Sequence, residues 1–205
     1  MNLLGNGLIF VALTATVLSA IHYYRSAVSS TQSVKSARLW LRVGAAAIVA
    51  LSGLLLSLLM QHDFSNGYVY SYSSRNLPMH FLISSFYAGQ EGSFLFWVLC
   101  SAVIGLALMH HTGKRKSEPW VMSVYMGVQT FLILLLYAKT PFLSVWEKVP
   151  QLPLGQLPAD GSGLNPLLQN VWMVIHPPVL FLGFASMIIP FSFAILYISF
   201  SSAGV

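Results

Sequence analysis

The stretch VGAAAIVALSGLLLSLL at residues 43–59 decides the fold. It carries no charge, and its polar side chains are two serines, Ser52 and Ser57. A hydrocarbon core about 30 Å thick takes roughly 20 mostly apolar residues of helix to cross, and this run with its flanks has that reach. Working outward, residues 3–23, 93–109, 120–138 and 178–200 read the same way, and none contains Asp, Glu, Lys or Arg. Composition agrees: 7% of the residues are charged and 56% are hydrophobic, where soluble domains carry roughly 25% charge. The expected fold is an all-α integral membrane protein with five transmembrane helices in a single membrane domain over residues 1–205.

The net charge of +5 is no nucleic-acid footprint, because the basic residues sit in short clusters between apolar runs. Arg25, Lys35, Arg38 and Arg42 follow the first span, and Lys114, Arg115 and Lys116 follow the third. The intervening loops, 62–92 and 139–177, are longer and nearly neutral. Basic loops favour the cytoplasmic side, so the N-terminus is expected outside, the C-terminus in the cytoplasm, and both long loops on the outer face. The first span lacks a basic leader, and Leu18-Ser19-Ala20 makes a poor cleavage site, so it reads as an uncleaved anchor. The one cysteine, Cys100, lies in an apolar run and excludes an internal disulfide.

The first outer loop alternates tyrosines at Tyr68, Tyr70 and Tyr72, which suits an extended stretch with the rings on one face. Two readings stand open: an interfacial aromatic belt, or a stacking surface for a planar ligand. Residues 79–88 are expected to form a short surface helix. Glu91 sits between glycines at the mouth of the third span, where a carboxylate favours the helix dipole; the alternatives are that it pairs with Arg75 or fixes the loop over a bound ligand. The second outer loop is rich in Pro and Gly, with Lys139, Glu147 and Lys148 expected in solvent and a tight turn at residues 160–166. Residues 167–175, with Trp172 inside, are too short to span and are expected in the interface.

Ile175-His176-Pro177-Pro178 opens the last span. Proline suits a first helical turn, and the residue before it avoids helical geometry, so the helix is expected to start at Pro177 with His176 just outside. The remaining run to residue 200 covers about 34 Å at 1.5 Å per residue, placing His176 at the outer surface on a stiffened backbone. Neutral imidazole is a common metal ligand; a hydrogen-bonded structural histidine is the competing reading. His62 and His80, on the same side, are weaker candidates to join it, and His22, His110 and His111 read as inner flanks.

Two segments carry a resemblance. Residues 161–183, GSGLNPLLQNVWMVIHPPVLFLG, are similar to the LNPLLQ–HPP signature of the cytochrome c-type biogenesis haem lyase family (CcmF, NrfE and CcsA-like proteins). Residues 74–97, SRNLPMHFLISSFYAGQEGSFLFW, resemble that family's LP…W-G-G-x-EGS-LLLW segment. The resemblance implies haem handling at the outer face of a bacterial inner membrane, or its organellar equivalent, and covalent attachment of haem to apocytochrome c. It implies His176 as an axial ligand of haem iron, with Trp172, Tyr72, Arg75 and Glu91 as supporting residues. Asn165, Pro166, Gln169, Pro177 and Pro178 match positions that shape the neighbouring loop. Two departures stand out. The family tryptophan falls on Phe86 or Tyr87 and its first glycine on Ala88. The tryptophan-rich outer loop, the second outer histidine and the histidines for an internal haem lie beyond Val205 in the family. The chain is therefore expected to be the N-terminal portion of such a lyase, as a split subunit or a truncation, and whether it is itself an enzyme stays open. Its implied partners are the rest of the lyase, a haem chaperone, apocytochrome c and lipid. The alternatives are a non-catalytic scaffold that docks apocytochrome or haem chaperone, and a small transporter or respiratory subunit. The last usually carries ionisable residues deep in its spans, which these five lack.

Overall fold

The computed structural model describes residues 1–29, 34–113 and 115–201; Lys114 of the second basic cluster and the tail 202–205 lie outside them. Five segments are long and apolar enough to cross a membrane. The first four are single helices: α1 (Asn2–Val28), α2 (Lys35–Met60), α5 (Gln90–Thr112) and α6 (Glu118–Ala138). The fifth is two helices, α8 (Val171–Ser186) and α9 (Ile188–Ser201). Between them lie the short helices α3 (Gly67–Tyr72), α4 (Met79–Ser84) and α7 (Val145–Lys148), and 3-10 turns at Ser85–Tyr87 and Pro166–Leu168. Helix α1 packs along α2 and α6, α5 along α2 and α6, α8 leans on α5, and α9 on α6.

Small residues let these helices approach. Gly5, Ile9, Ala12, Thr16, Ser19 and Tyr23 form one buried stripe on α1. A Cβ at Gly44 would touch Thr16 at 3.3 Å and Ala15 at 3.5 Å, the close backbone approach that membrane helices use in place of a hydrophobic drive. Polar rivets supplement it. The Ser19 hydroxyl donates to Ala37 O at 3.0 Å. Between α5 and α6, Tyr125 donates to Ser101 O at 2.7 Å, and Gln129 donates to Val98 O at 3.1 Å while accepting from the Ser101 hydroxyl. At one end of the bundle, Arg38 of α2 grips Glu118 of α6 through Nε at 2.8 Å and Nη2 at 2.6 Å, and also donates to Gly113 O at 2.8 Å. Glu118 is 2% exposed, and Tyr23 adds a hydrogen bond at 3.4 Å. We call this the basic end.

At the opposite, loop end the tyrosine-bearing stretch is helical, not extended. The Asn66 carboxamide oxygen accepts from the Tyr68 and Val69 amides at 2.9 and 3.0 Å, which is an N-cap. Its nitrogen donates to Pro141 O at 3.0 Å and Asn2 Oδ1 at 3.1 Å. Capping turns an apparent period of two into a helix, so Tyr68 and Tyr72 meet four residues apart, with ring centroids 4.7 Å apart. The surface helix expected over 79–88 is α4 plus the 3-10 turn that follows it.

The last span also departs from expectation. Helix α8 starts at Val171, because Asn170 Oδ1 accepts from the Met173 amide at 3.0 Å, and it runs through His176, Pro177 and Pro178. The cap prevails over the pre-proline preference, and residues 171–175 belong to the helix rather than to a separate interfacial segment.

Candidate functional site

Most of the loop end is built around one phenol. The Tyr68 hydroxyl donates to Ser85 O at 2.8 Å, lies 3.2 Å from Phe86 O, and accepts from the Gly89 amide at 3.1 Å. Complete burial pushes its pKa far above the ordinary phenol range, so it stays a neutral donor. The glycines nearby are there for space. A Cβ on Gly92 would lie 2.1 Å from both Phe86 O and the Tyr68 hydroxyl, and one on Gly89 would lie 2.4 Å from the Tyr72 ring. Ser93 closes the turn by donating to Tyr87 O at 2.8 Å. The Glu91-Gly92-Ser93 motif thus seats the first turn of α5 on α3 and the 3-10 turn.

Glu91 stands in the first turn of α5, as expected, but its partner is Lys148, not Arg75. The two are ion-paired, and the Lys148 ammonium also sits 5.9 Å from the Tyr72 ring centre. Lys148 is therefore no solvated loop lysine; α7 delivers it, capped by Ser144 and Glu147 in a reciprocal box. Hydrogen bonds from the Ser144 side chain and backbone hold the Glu147 carboxyl below its usual range. Burial, then the charge of Glu91, raises the Tyr72 phenol. Glu91, Lys148 and Lys139 line an open cavity of about 560 Å³ with Asn6, Tyr137 and Thr140.

Arg75 holds the second long loop. Its amide donates to Asp160 Oδ1 at 2.9 Å, its Nε to Ala159 O at 3.1 Å, and its guanidinium lies 5.8 Å from the Phe64 ring. The amides of Arg75 and Gly161 keep the Asp160 carboxyl below its ordinary value. Gly161 abuts Ser73 O so closely that a Cβ would come within 2.0 Å.

His176 and Trp172 form the third group. They lie one turn apart on α8, both exposed, Trp172 by 77%. The opposite side of α8 is pinned to α5 by rings: Phe181 lies 5.9 Å from Phe96 and 6.3 Å from Trp97, and Phe184 lies 5.7 Å from Trp97. The Tyr87 hydroxyl donates to Val174 O at 2.7 Å, and burial raises its pKa. The His62 ring packs 6.0 Å from Phe64, on a left-handed backbone of φ 51°. The His80 ring lies against Phe81. Among the described residues no three His, Cys, Asp or Glu side chains gather into a metal-binding cluster.

The structure thus joins Tyr72 to Glu91 through Lys148, and Trp172 to His176 on one helix face. Among the described residues, no hydrogen bond, ion pair or ring contact links these two groups to each other or to Arg75. Sequence reasoning passed over Asn66, and it named Tyr68, Tyr87 and Lys148 without the partners they have here. Asn66-Gly67 ahead of an apolar stretch was a readable cap signal; the Lys148 pairing, over a separation of 57 residues, had none.

The profile of the family described as cytochrome C assembly protein matches residues 87–203. The cytochrome c-type biogenesis protein CcmF of Pseudomonas fluorescens is 34% identical over 149 residues, covering 70% of this chain and 21% of that protein. CcmF of Escherichia coli K12 is 28% identical over 197 residues, covering 94% of this chain and 29% of the relative. NrfE of Haemophilus influenzae is 28% identical over 147 residues, covering 70% and 22%. A solved structure of the cytochrome c heme lyase CcmF superposes with a TM-score of 0.71 at 24% identity, over 94% of this chain and 29% of that one; this likeness concerns the fold. The chain therefore spans 21–29% of the length of these relatives.

Proposed function

The chain belongs to the cytochrome C assembly protein family, and on that premise we propose that it forms the portion of a cytochrome c haem lyase that presents one axial ligand, His176, to haem in transit. The carrying observation is the placement of His176 on the exposed face of a helix fixed from behind. An imidazole so held binds iron without first ordering its own backbone, and neutral imidazole is a standard axial ligand of haem. Trp172, one turn away, offers an apolar plane beside it. The residues present fit one side of a haem, and a second axial ligand and the rest of the enclosure come from elsewhere in the lyase. Tyr72, Arg75 and Glu91 act at one remove, by tying the two long loops to each other and to α5.

The basic end carries Arg38, Arg42, Arg115 and Lys116, and under the positive-inside rule it faces the cytoplasm. His176 and the long loops then face outward, where apocytochrome c and a haem chaperone dock, in a bacterial inner membrane or its organellar counterpart. The test is His176→Ala in the chain co-produced with the remainder of its lyase. We expect loss of haem from the purified complex and loss of haem-stained c-type cytochrome. Wild-type haem content and maturation in that variant would overturn the ligand assignment, and stable capture of apocytochrome by it would favour a docking scaffold.

A further inference from the structure

In an α-helix each carbonyl accepts from the amide four residues on, or from the third in a tighter turn. For Val174 those two residues are Pro178 and Pro177, and neither has an N–H. The His-Pro-Pro sequence therefore strips both helical donors from one carbonyl in α8, two residues before His176. The neighbouring carbonyls keep a donor: Met173 O can turn to the His176 amide, and Ile175 O has Val179. A carbonyl left dry and unpaired is costly, and at this carbonyl the structure supplies a donor from a different helix turn, the Tyr87 hydroxyl at 2.7 Å.

We infer that Tyr87 is a positioning residue for His176: its hydroxyl replaces the amide that the two prolines remove, and it fixes the turn of α8 that bears the imidazole. Tyr87 is itself held at its carbonyl and at its ring. Its carbonyl accepts from Ser93 Oγ at 2.8 Å, its ring lies 5.3 Å from Phe96, and Phe96 in turn meets Phe181 of α8. Phenylalanine at this position would keep the ring contact and lose the donor. Tryptophan would place its single N–H at a different reach. The prolines make the turn stiff but short of a hydrogen bond, and the tyrosine restores that bond from the α5 side, so the angle of His176 is referenced to the α5 scaffold rather than to α8 alone. The role in haem ligation rests on the proposed function; the structural role does not.

The test uses Tyr87→Phe, Pro178→Ala and the double variant in the full chain. Alanine at 178 returns an amide to Val174 O, so the two changes should be strongly non-additive. In the haem-free, detergent-solubilised chain, hydrogen exchange over residues 175–180 should speed up about fivefold in Tyr87→Phe, the worth of roughly one hydrogen bond. It should return to within about twofold of the parent in the double variant. Hemin titration, followed by the Soret band and by electron paramagnetic resonance, should show weaker binding and a broadened high-spin signal in Tyr87→Phe, recovered in the double. Unchanged exchange in Tyr87→Phe, or no recovery by Pro178→Ala, would overturn the inference. If His176→Ala binds hemin like the parent while exchange behaves as stated, the ligand reading falls and the positioning of the turn stands. If His176→Ala loses hemin while Tyr87→Phe binds it unaltered, Tyr87 has no part in ligation and the inference fails alone.

Discussion

Replacing Gly92 by alanine tests the loop-end scaffold at its tightest point. The added methyl would stand 2.1 Å from Phe86 O, 2.1 Å from the Tyr68 hydroxyl and 2.7 Å from the Tyr68 ring. Relief requires more than about 1 Å of movement by a backbone carbonyl and a fully buried tyrosine. Overpacking of this kind costs about 1–3 kcal/mol. Moving Tyr68 also loosens its hydrogen bonds to Ser85 O and the Gly89 amide, at about 1 kcal/mol each. The total comes to about 3–5 kcal/mol, or roughly 6–20 °C in unfolding midpoint for a chain of this size. The assay is thermal unfolding of the detergent-solubilised chain followed by near-ultraviolet circular dichroism. Gly127→Ala is the control, because a Cβ there meets nothing within 4 Å, and it should be neutral or slightly stabilising. Adding Tyr68→Phe to Gly92→Ala should recover little, since the Phe86 carbonyl still blocks the methyl. A midpoint for Gly92→Ala within about 2 °C of the parent would refute the packing described here.

Glu118→Gln should lower the unfolding midpoint by the equivalent of about 2 kcal/mol, below the usual range for breaking a buried pair because Arg38 keeps access to water; Arg38→Gln in the same chain should recover part of it. The Glu147 carboxyl is held low by Ser144, so its cap is intact above the ordinary carboxylate range and is lost as pH falls through the lowered folded value. Trp146, whose indole donates to Pro153 O at 3.2 Å, reports on this: its emission, taken as the difference from Trp146→Phe, should shift red over that acid window and already be shifted in Ser144→Ala at neutral pH. For sidedness, a membrane-impermeant maleimide should label Leu154→Cys, exposed by 89%, and spare Lys116→Cys in intact cells; the reverse pattern would invert the topology.

The five spans were legible because hydropathy over about 20 residues is a direct reading of bilayer thickness, and the helices overrun the expected limits mainly through caps and flanks. What escaped were features set by a single side chain. Asn66 converts an alternating tyrosine stretch into α3, and Asn170 starts α8 ahead of the prolines, so His176 stands inside the helix rather than before it. The site was legible to the extent that motif spacing shows it, in Glu91-Gly92-Ser93 and His176-Pro177-Pro178. Motif residues do not announce their partners, and Lys148 and Tyr87 reach Glu91 and Val174 from distant parts of the chain. The apolar face of α8 and α9 was equally hidden: these two helices are less buried than the other four spans, and hydropathy alone does not separate a helix that faces protein from one that faces lipid.

The clamp between Arg38 and Glu118 has a consequence for biogenesis. Eighty residues separate the two side chains, so a nascent chain delivers the guanidinium to the bilayer long before its carboxylate has left the ribosome. Until then, lipid phosphate and water must solvate Arg38, and the hairpin of the first two helices can still shift in depth. Emergence of Glu118 pairs that charge, part of which stays in contact with water, and ties α2 to α6.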